Sequence, residues 1–348
     1  MEMVDVKGCT LSELEELLTT WGESAYRARQ LYEWLHKHRA FNFTEMTSLS
    51  RGLRERLEGS CVMPDWRIVS RQSDADEGTV KYLFELADGA KIEAVYMPGE
   101  GGRRTLCLST QVGCRFRCRI CLTGELGFLR NLTASEILHQ IDLVSHDQGQ
   151  PLTNIVYMGM GEPLDNYEAV QRSLFLLSEP AGRSFSLRRV TISTIGLVQQ
   201  VAKLLASGLV PNFTFSLNAA SDEVRKQIMP SNSKYPFAEI IMALRELPLP
   251  PRRRFTVAYV LLAGVNDSVA DAIALTKLLH PKRVKINLIP FNEHAKLAFK
   301  SPKDDIIAEF QDILIRAGFS TFLRHSRGLN IRAACGQLAA GTEDDSRT

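Results

Sequence analysis

The chain has 348 residues, 45% apolar and 24% charged, with a net charge of +2. That balance suits a soluble protein with one large domain and a small one. It excludes a disordered chain, and no apolar run nears the ~20 residues of a membrane-spanning helix. The cysteine count is odd, at seven, and the acidic start Met1-Glu2-Met3-Val4-Asp5 lacks a leader's charged-then-apolar pattern. Both features point to the cytoplasm, where thiols stay reduced, and away from a disulfide scaffold.

Residues 1–62 read as a small helical unit. Thr10 and Glu13 have capping-box spacing ahead of Leu14, Leu17 and Leu18. A second helix carries Leu31, Trp34 and Leu35, and Ser50 caps a third with Leu53 and Leu57 on one face. Residues 63–103 hold a β-hairpin linker. Val80, Tyr82, Phe84 and Leu86 alternate with other residues, Asp88-Gly89 supplies the turn, and Ile92, Ala94 and Tyr96 alternate again. Gly99-Glu100-Gly101-Gly102 reads as a hinge or exposed turn.

From residue 104 to 325 strands and helices alternate. Strands are predicted at 105–110, 154–158, 189–194, 212–217, 255–262 and 284–289, with a short last one at 320–324. Helices are predicted from Thr133, whose capping box uses Glu136, and over 197–206, 236–246, 267–279 and 303–316. Such units demand a parallel sheet with helices packed outside, an α/β fold, and six of them make a partial (β/α)6 barrel. Residues 326–348 form a C-terminal segment whose end, Glu343-Asp344-Asp345-Ser346-Arg347-Thr348, reads as a disordered tail. Arginines cluster at Arg51, Arg54 and Arg56, at Arg103 and Arg104, at Arg115, Arg117 and Arg119, and at Arg252, Arg253 and Arg254. Each cluster is a phosphate-contacting patch or an ordinary solvated surface.

The most specific signal is Cys114-Arg115-Phe116-Arg117-Cys118-Arg119-Ile120-Cys121, three cysteines spaced C-x3-C-x2-C. Three thiolates leave one iron of a 4Fe–4S cluster open to a cosubstrate, and this spacing is the signature of enzymes that cleave S-adenosylmethionine (SAM) to a radical. The competing reading is a zinc knuckle with a distant fourth ligand. Polar residues gather at the C-terminal ends of the predicted strands, where barrels keep their chemistry. Gly161 lets the backbone approach a ligand, and Glu162 can accept from a ligated amine. Ser193, Ser216, Leu217 and Asn218 are placed for a carboxylate or ribose, and Asn292 for an adenine edge. A serine at a strand end is also a common helix cap, which is the alternative for Ser193 and Ser216. Cys107, inside the first strand, and Cys335, in Ala333-Ala334-Cys335-Gly336-Gln337-Leu338, would alone read as small buried apolar residues.

Several strings together resemble the RlmN/Cfr family of radical SAM RNA methyltransferases, closest to its adenine-C2 branch. They are Cys107–Cys114, the three-cysteine spacing, Gly127–Thr133, Met158–Pro163, Arg189–Thr194, Lys285–Pro290 and the Ala-Ala-Cys-Gly-Gln-Leu around Cys335. The N-terminal Tyr26–Gln30 and Phe43–Thr47 are similar to the family's accessory, RNA-binding domain. The resemblance implies a 4Fe–4S cluster on Cys114, Cys118 and Cys121, with SAM as cosubstrate. It implies methylation of C2 of an adenine in 23S rRNA, and in some members tRNA, through a methyl group on Cys335. A transient disulfide to Cys107 then releases the RNA, and Glu93 serves as proton acceptor. Without the resemblance, Glu93 would read as an outward-facing strand residue. An electron donor such as flavodoxin, no membrane and a monomer complete the expected picture. The alternatives are a C8-methylating, antibiotic-resistance member of the same family, a small-molecule radical SAM enzyme and a non-catalytic metal-bearing RNA-binding module. Asn218 stands where the family has histidine.

Overall fold

Alternation of apolar and polar residues along the strands decides the architecture. In the computed structural model, which describes residues 3–324 and 326–339, the N-terminal unit comprises β1 (Val4–Asp5), α1 (Leu11–Thr20), α2 (Ala25–Glu33), α3 (Arg51–Ser60) and β2 (Cys61–Val62), with β1 and β2 paired in parallel. The tail reading lies outside the described residues. Both halves of the Thr10–Glu13 capping box form, and Ser50 accepts from the Leu53 amide at the start of α3.

Next come β3 (Arg67–Ser73), β4 (Val80–Glu85) and β5 (Lys91–Gly99). The β/α units run β6 (Arg103–Leu108), β7 (Gln111–Gly113), α4 (Leu122–Glu125), β8 (Phe128–Asn131), α5 (Ala134–Asp147), β9 (Asn154–Tyr157), α6 (Tyr167–Ser178), β10 (Val190–Thr194), α7 (Val198–Ala206) and β11 (Asn212–Ser216). They continue through α8 (Asp222–Ile228), α9 (Phe237–Glu246), β12 (Phe255–Leu261), α10 (Val269–Leu278), β13 (Val284–Pro290), α11 (Asp304–Arg316) and β14 (Thr321–Leu323). Among the described residues, ten strands form one sheet in the order β14-β13-β12-β11-β10-β9-β6-β5-β4-β3. From β14 to β6 the pairing is parallel, and β5, β4 and β3 add on antiparallel.

The hairpin therefore continues the main sheet. The positions between its apolar residues are also buried, Glu93 and Val95 among them, because β5 is covered on both faces. On the parallel strands Ile155, Tyr157, Val190, Ile192, Phe213, Phe215, Val257, Tyr259, Ile286 and Leu288 are fully or almost fully buried and form the helix-covered side of the core. The opposite face carries Cys107, Thr191, Ser193, Thr214, Ser216, Thr256, Lys285 and Asn287. A packed barrel interior would hold branched apolar residues there; this polar face is suited to a ligand. No helix among the described residues is long and apolar enough to cross a membrane.

A buried ion cluster locks the N-terminal unit to the barrel. On α5, Asp142 accepts two hydrogen bonds from Arg183 (2.6 and 2.8 Å) and faces Lys7 at 2.7 Å. Burial alone would raise the Asp142 carboxyl, but Arg183 and Lys7 hold it well below the usual carboxylate range. Asp142→Ala strands both cations in the interior. It should cost about 3–5 kcal/mol of stability, read as a lowered unfolding midpoint in denaturant.

Candidate active site

The cluster loop is shaped by backbone contacts that exclude larger residues. Gly113 has φ +75°, and a Cβ there would lie 1.8 Å from the Gly127 carbonyl. The amide of Cys114 donates to that carbonyl at 2.7 Å, and the amide of Arg119 donates to the Ile228 carbonyl at 2.9 Å. Cys114, Cys118 and Cys121 follow β7 on this loop, each partly exposed. Burial pushes the Cys114 thiol up to about 12, with Cys121 adding to the effect. Burial likewise raises Cys118, with Cys121 and then Cys114 adding to it. The three thiols thus act on one another from a single loop, where iron can replace protons that are otherwise hard to lose. Among the described residues, no three His, Cys, Asp or Glu side chains gather closely enough for a single metal ion. Thiolates on a cubane bind separate irons and stand further apart, so the donor set fits the cluster.

Beside the loop, Gly161 takes φ +97°, and a Cβ there would meet Gln111 at 2.5 Å. Gln111, buried and not singled out from the sequence, is a hub. Its Oε1 accepts from the Glu162 amide at 2.9 Å, and its Nε2 donates to Asn131 (2.9 Å) and Asp165 (2.7 Å). Asp165 also holds Arg115 of the cluster loop at 2.9 Å. The Glu162 carboxylate accepts from the Leu164 amide at 3.0 Å and the Ile195 amide at 2.8 Å. Burial pushes its carboxyl up to about 7, against the pull of those amides. Gly161→Ala should therefore displace Gln111 and Glu162 together. The expected result is about 1–3 kcal/mol of lost stability, with SAM binding weakened in anaerobic equilibrium dialysis.

Ser193 and Ser216 stand 3.4 Å apart, oxygen to oxygen, on the polar face of the sheet. The turn into α7 is bonded by Thr194 instead, which accepts from the Gly196 and Leu197 amides. Leu217 is buried, and its carbonyl accepts from Arg225 at 3.2 Å. Asn218 takes φ +56°; its Oδ1 accepts from the Val260 amide at 3.0 Å and its Nδ2 faces the Met229 sulfur at 3.4 Å. Its amide is thus engaged within the protein. Asn292 donates to the Cys335 carbonyl at 2.9 Å, which makes it a brace for that segment.

The C-terminal segment carries Cys335 onto the cluster loop. The Leu122 amide donates to the Gly336 carbonyl at 2.8 Å, and Thr123 donates to the Leu338 carbonyl at 2.9 Å. Gly336 takes φ +83°, and a Cβ there would lie 2.7 Å from the Ile120 carbonyl. At the other end the Ala339 amide donates to Glu93 Oε2 at 2.7 Å. Glu93 is buried, its Oε1 lies 3.3 Å from Lys81, and it lines a cavity of about 180 Å³ with Gln337, Arg332 and His294. Cys335 is exposed, yet the protein packed around it desolvates and raises its thiol, with Arg324 opposing the rise. Burial also raises Cys107, and the charge of Cys335 adds to it, so the two thiols lie within electrostatic reach of each other. The structure therefore brings Cys107, Cys335, Glu93 and the three-cysteine loop together. Lys81 was not legible in its strand, where it alternates like any surface lysine.

A partial barrel opening onto a three-cysteine loop defines a radical SAM enzyme. The chain matches the Radical SAM superfamily over residues 108–276 and the ribosomal RNA large subunit methyltransferase N-terminal domain over residues 4–63. It is 47% identical to the dual-specificity RNA methyltransferase RlmN of Geobacter sulfurreducens, over 97% of this chain and 92% of that one. It is also 47% identical to the RlmN of Syntrophobacter fumaroxidans, over 98% and 99%. The crystal structure of a radical SAM methyltransferase from Sphaerobacter thermophilus superposes with a TM-score of 0.92 at 40% identity, over 97% of this chain and 100% of that one. The chain belongs to the RlmN family of radical SAM RNA methyltransferases, as its motifs led us to expect, and its cofactors are a 4Fe–4S cluster and SAM.

Proposed function

We propose that the chain methylates C2 of an adenine in 23S rRNA, and in tRNA, through a methyl group carried on Cys335. The observation that supports this reading is the double anchorage of the Cys335 segment, to the cluster loop through Gly336 and to Glu93 through Ala339. The cluster and SAM, when bound, supply a methyl group, an electron and a hydrogen-abstracting radical. The chain's own residues direct where these act. Cys114, Cys118 and Cys121 would hold the cluster, Glu162 would accept from the cosubstrate amine, and Ser193 and Ser216 would meet its carboxylate or ribose.

Cys335 receives the methyl group on sulfur. Once that carbon has lost a hydrogen atom and bonded to adenine C2, Glu93 is placed to take the C2 proton, and the unpaired electron of the adduct would return to the cluster that had given one up. Cys107, as thiolate, attacks the Cys335 sulfur and the sulfur–carbon bond breaks. The one-carbon unit stays on the base and takes a proton, and the two cysteines are left as a disulfide that must be reduced before the next turnover. In this reading the protein works as a cytoplasmic monomer supplied by a donor such as flavodoxin. Anaerobic reaction with rRNA and tRNA, followed by nucleoside mass spectrometry, should yield 2-methyladenosine. An 8-methyladenosine product would overturn the C2 assignment.

A further inference from the structure

Two arginine runs are divided by the fold into half-buried and exposed members. Arg104 donates to the Pro151 carbonyl at 2.6 Å. Arg253 donates to the Val210 carbonyl at 2.6 Å and to Asn212 at 3.0 Å. Both are spent bracing loops, whereas Arg103 and Arg254 are exposed.

Those two converge with cations from other strands. Lys285 is half-buried and pairs with Thr256, which pairs with Thr214, which pairs with Ser193. Paired residues share a face, so Lys285 lies on the polar side with the two serines. Arg254, two residues before Thr256, reaches past β13 to Ser320, donating to its hydroxyl at 3.0 Å. Arg324 follows β14, two residues beyond Phe322, which pairs with Asn287 on that face. Arg103 donates to Thr105 at 3.3 Å, at the foot of the column that carries Cys107. Besides burial, the charges that act most on Lys285 are Arg254, Arg324 and Arg103, all positive.

We propose that Arg103, Arg254, Lys285 and Arg324 form a binding site for the phosphate backbone of the RNA substrate. The proposal rests on the RNA methyltransferase reading and adds which surface holds the polymer. SAM carries one carboxylate against a positive sulfonium and cannot balance four cations. An RNA strand carries a phosphate at every nucleotide and can. Arg324 lies within electrostatic reach of both Cys335 and Lys285, which puts the phosphate site within the field of the thiol at which the base must arrive.

The test is RNA binding by the cluster-loaded protein across a salt series, using an rRNA fragment and a tRNA. The variants are Lys285→Gln, Arg324→Gln and the triple change with Arg254→Gln. Arg316→Gln, which removes an exposed charge paired with Asp312 at 3.1 Å, controls for bulk charge. Each single site variant should lower the slope of log affinity against log salt by about 1, and the triple by about 2–3, with about ten-fold weaker binding at low salt. Iron content and SAM affinity should match wild type, as should the slope of the control. Unchanged RNA slopes in the singles and the triple overturn the site, as does a loss confined to SAM affinity or to reduction by an acidic flavoprotein. Failure is distinguishable from failure of the functional reading. Methylation with unaltered slopes removes the site and keeps the activity, whereas cation-dependent RNA binding without methylated product does the reverse.

Discussion

Cys107→Ala protein, incubated anaerobically with SAM, reductant and RNA, should accumulate a covalent protein–RNA adduct in place of free methylated product. In the proposed mechanism the one-carbon unit bridges Cys335 and the base, and the exit is attack on the Cys335 sulfur by a second thiolate. Cys107 is a thiol on which the charge of Cys335 acts, and β6 fixes its position through pairing with Val95 and Val156. Alanine keeps the strand and removes the sulfur. The adduct should run as a shifted band that ribonuclease digestion collapses to a nucleotide-sized mass on the Cys335 peptide. Methylated RNA released at the normal rate would eliminate the disulfide step.

Cys335→Ala should abolish methylation outright, by more than about a thousand-fold, since among the described residues of the segment that bridges the cluster loop and Glu93 it alone carries a sulfur. Gly336, Thr123 and Ala339 make their bonds through backbone groups or side chains that this change leaves in place. Iron content and SAM binding should therefore persist, separating loss of the carrier from collapse of the site. Wild-type protein from SAM-containing cells should show the Cys335 peptide heavier by one methyl group. An unmodified peptide in active enzyme would defeat the carrier role.

What could be read from the sequence was local. The capping boxes at Thr10–Glu13 and Thr133–Glu136 form as spaced, because each is closed within one turn. The parallel strands fall within a residue or two of their predicted bounds. Helix α6 carried a usable signal too, Val170, Leu174 and Leu177 on one helical face behind Asn166. Helix α8 carried another, Ser221 ahead of two acids. The site was legible through its cysteines and glycines, whose chemistry and φ values allow few substitutes. The roles of Gln111, Lys81 and Asn292 were not, because each depends on a partner across the fold. The split between Arg253 and Arg254 has the same cause: neighbours in sequence leave a strand on opposite sides.

The segment bearing Cys335 is held by residues far behind it, with Ala339 bonded to Glu93 across 246 positions and Leu338 to Thr123 across 215. During translation, then, the metal loop and the acid emerge long before the sulfur they flank. A nascent chain still tethered to the ribosome cannot assemble the reactive triangle until the stretch from Cys335 to Ala339 is out, which keeps a half-made enzyme from turning its chemistry on the RNA machine that is producing it.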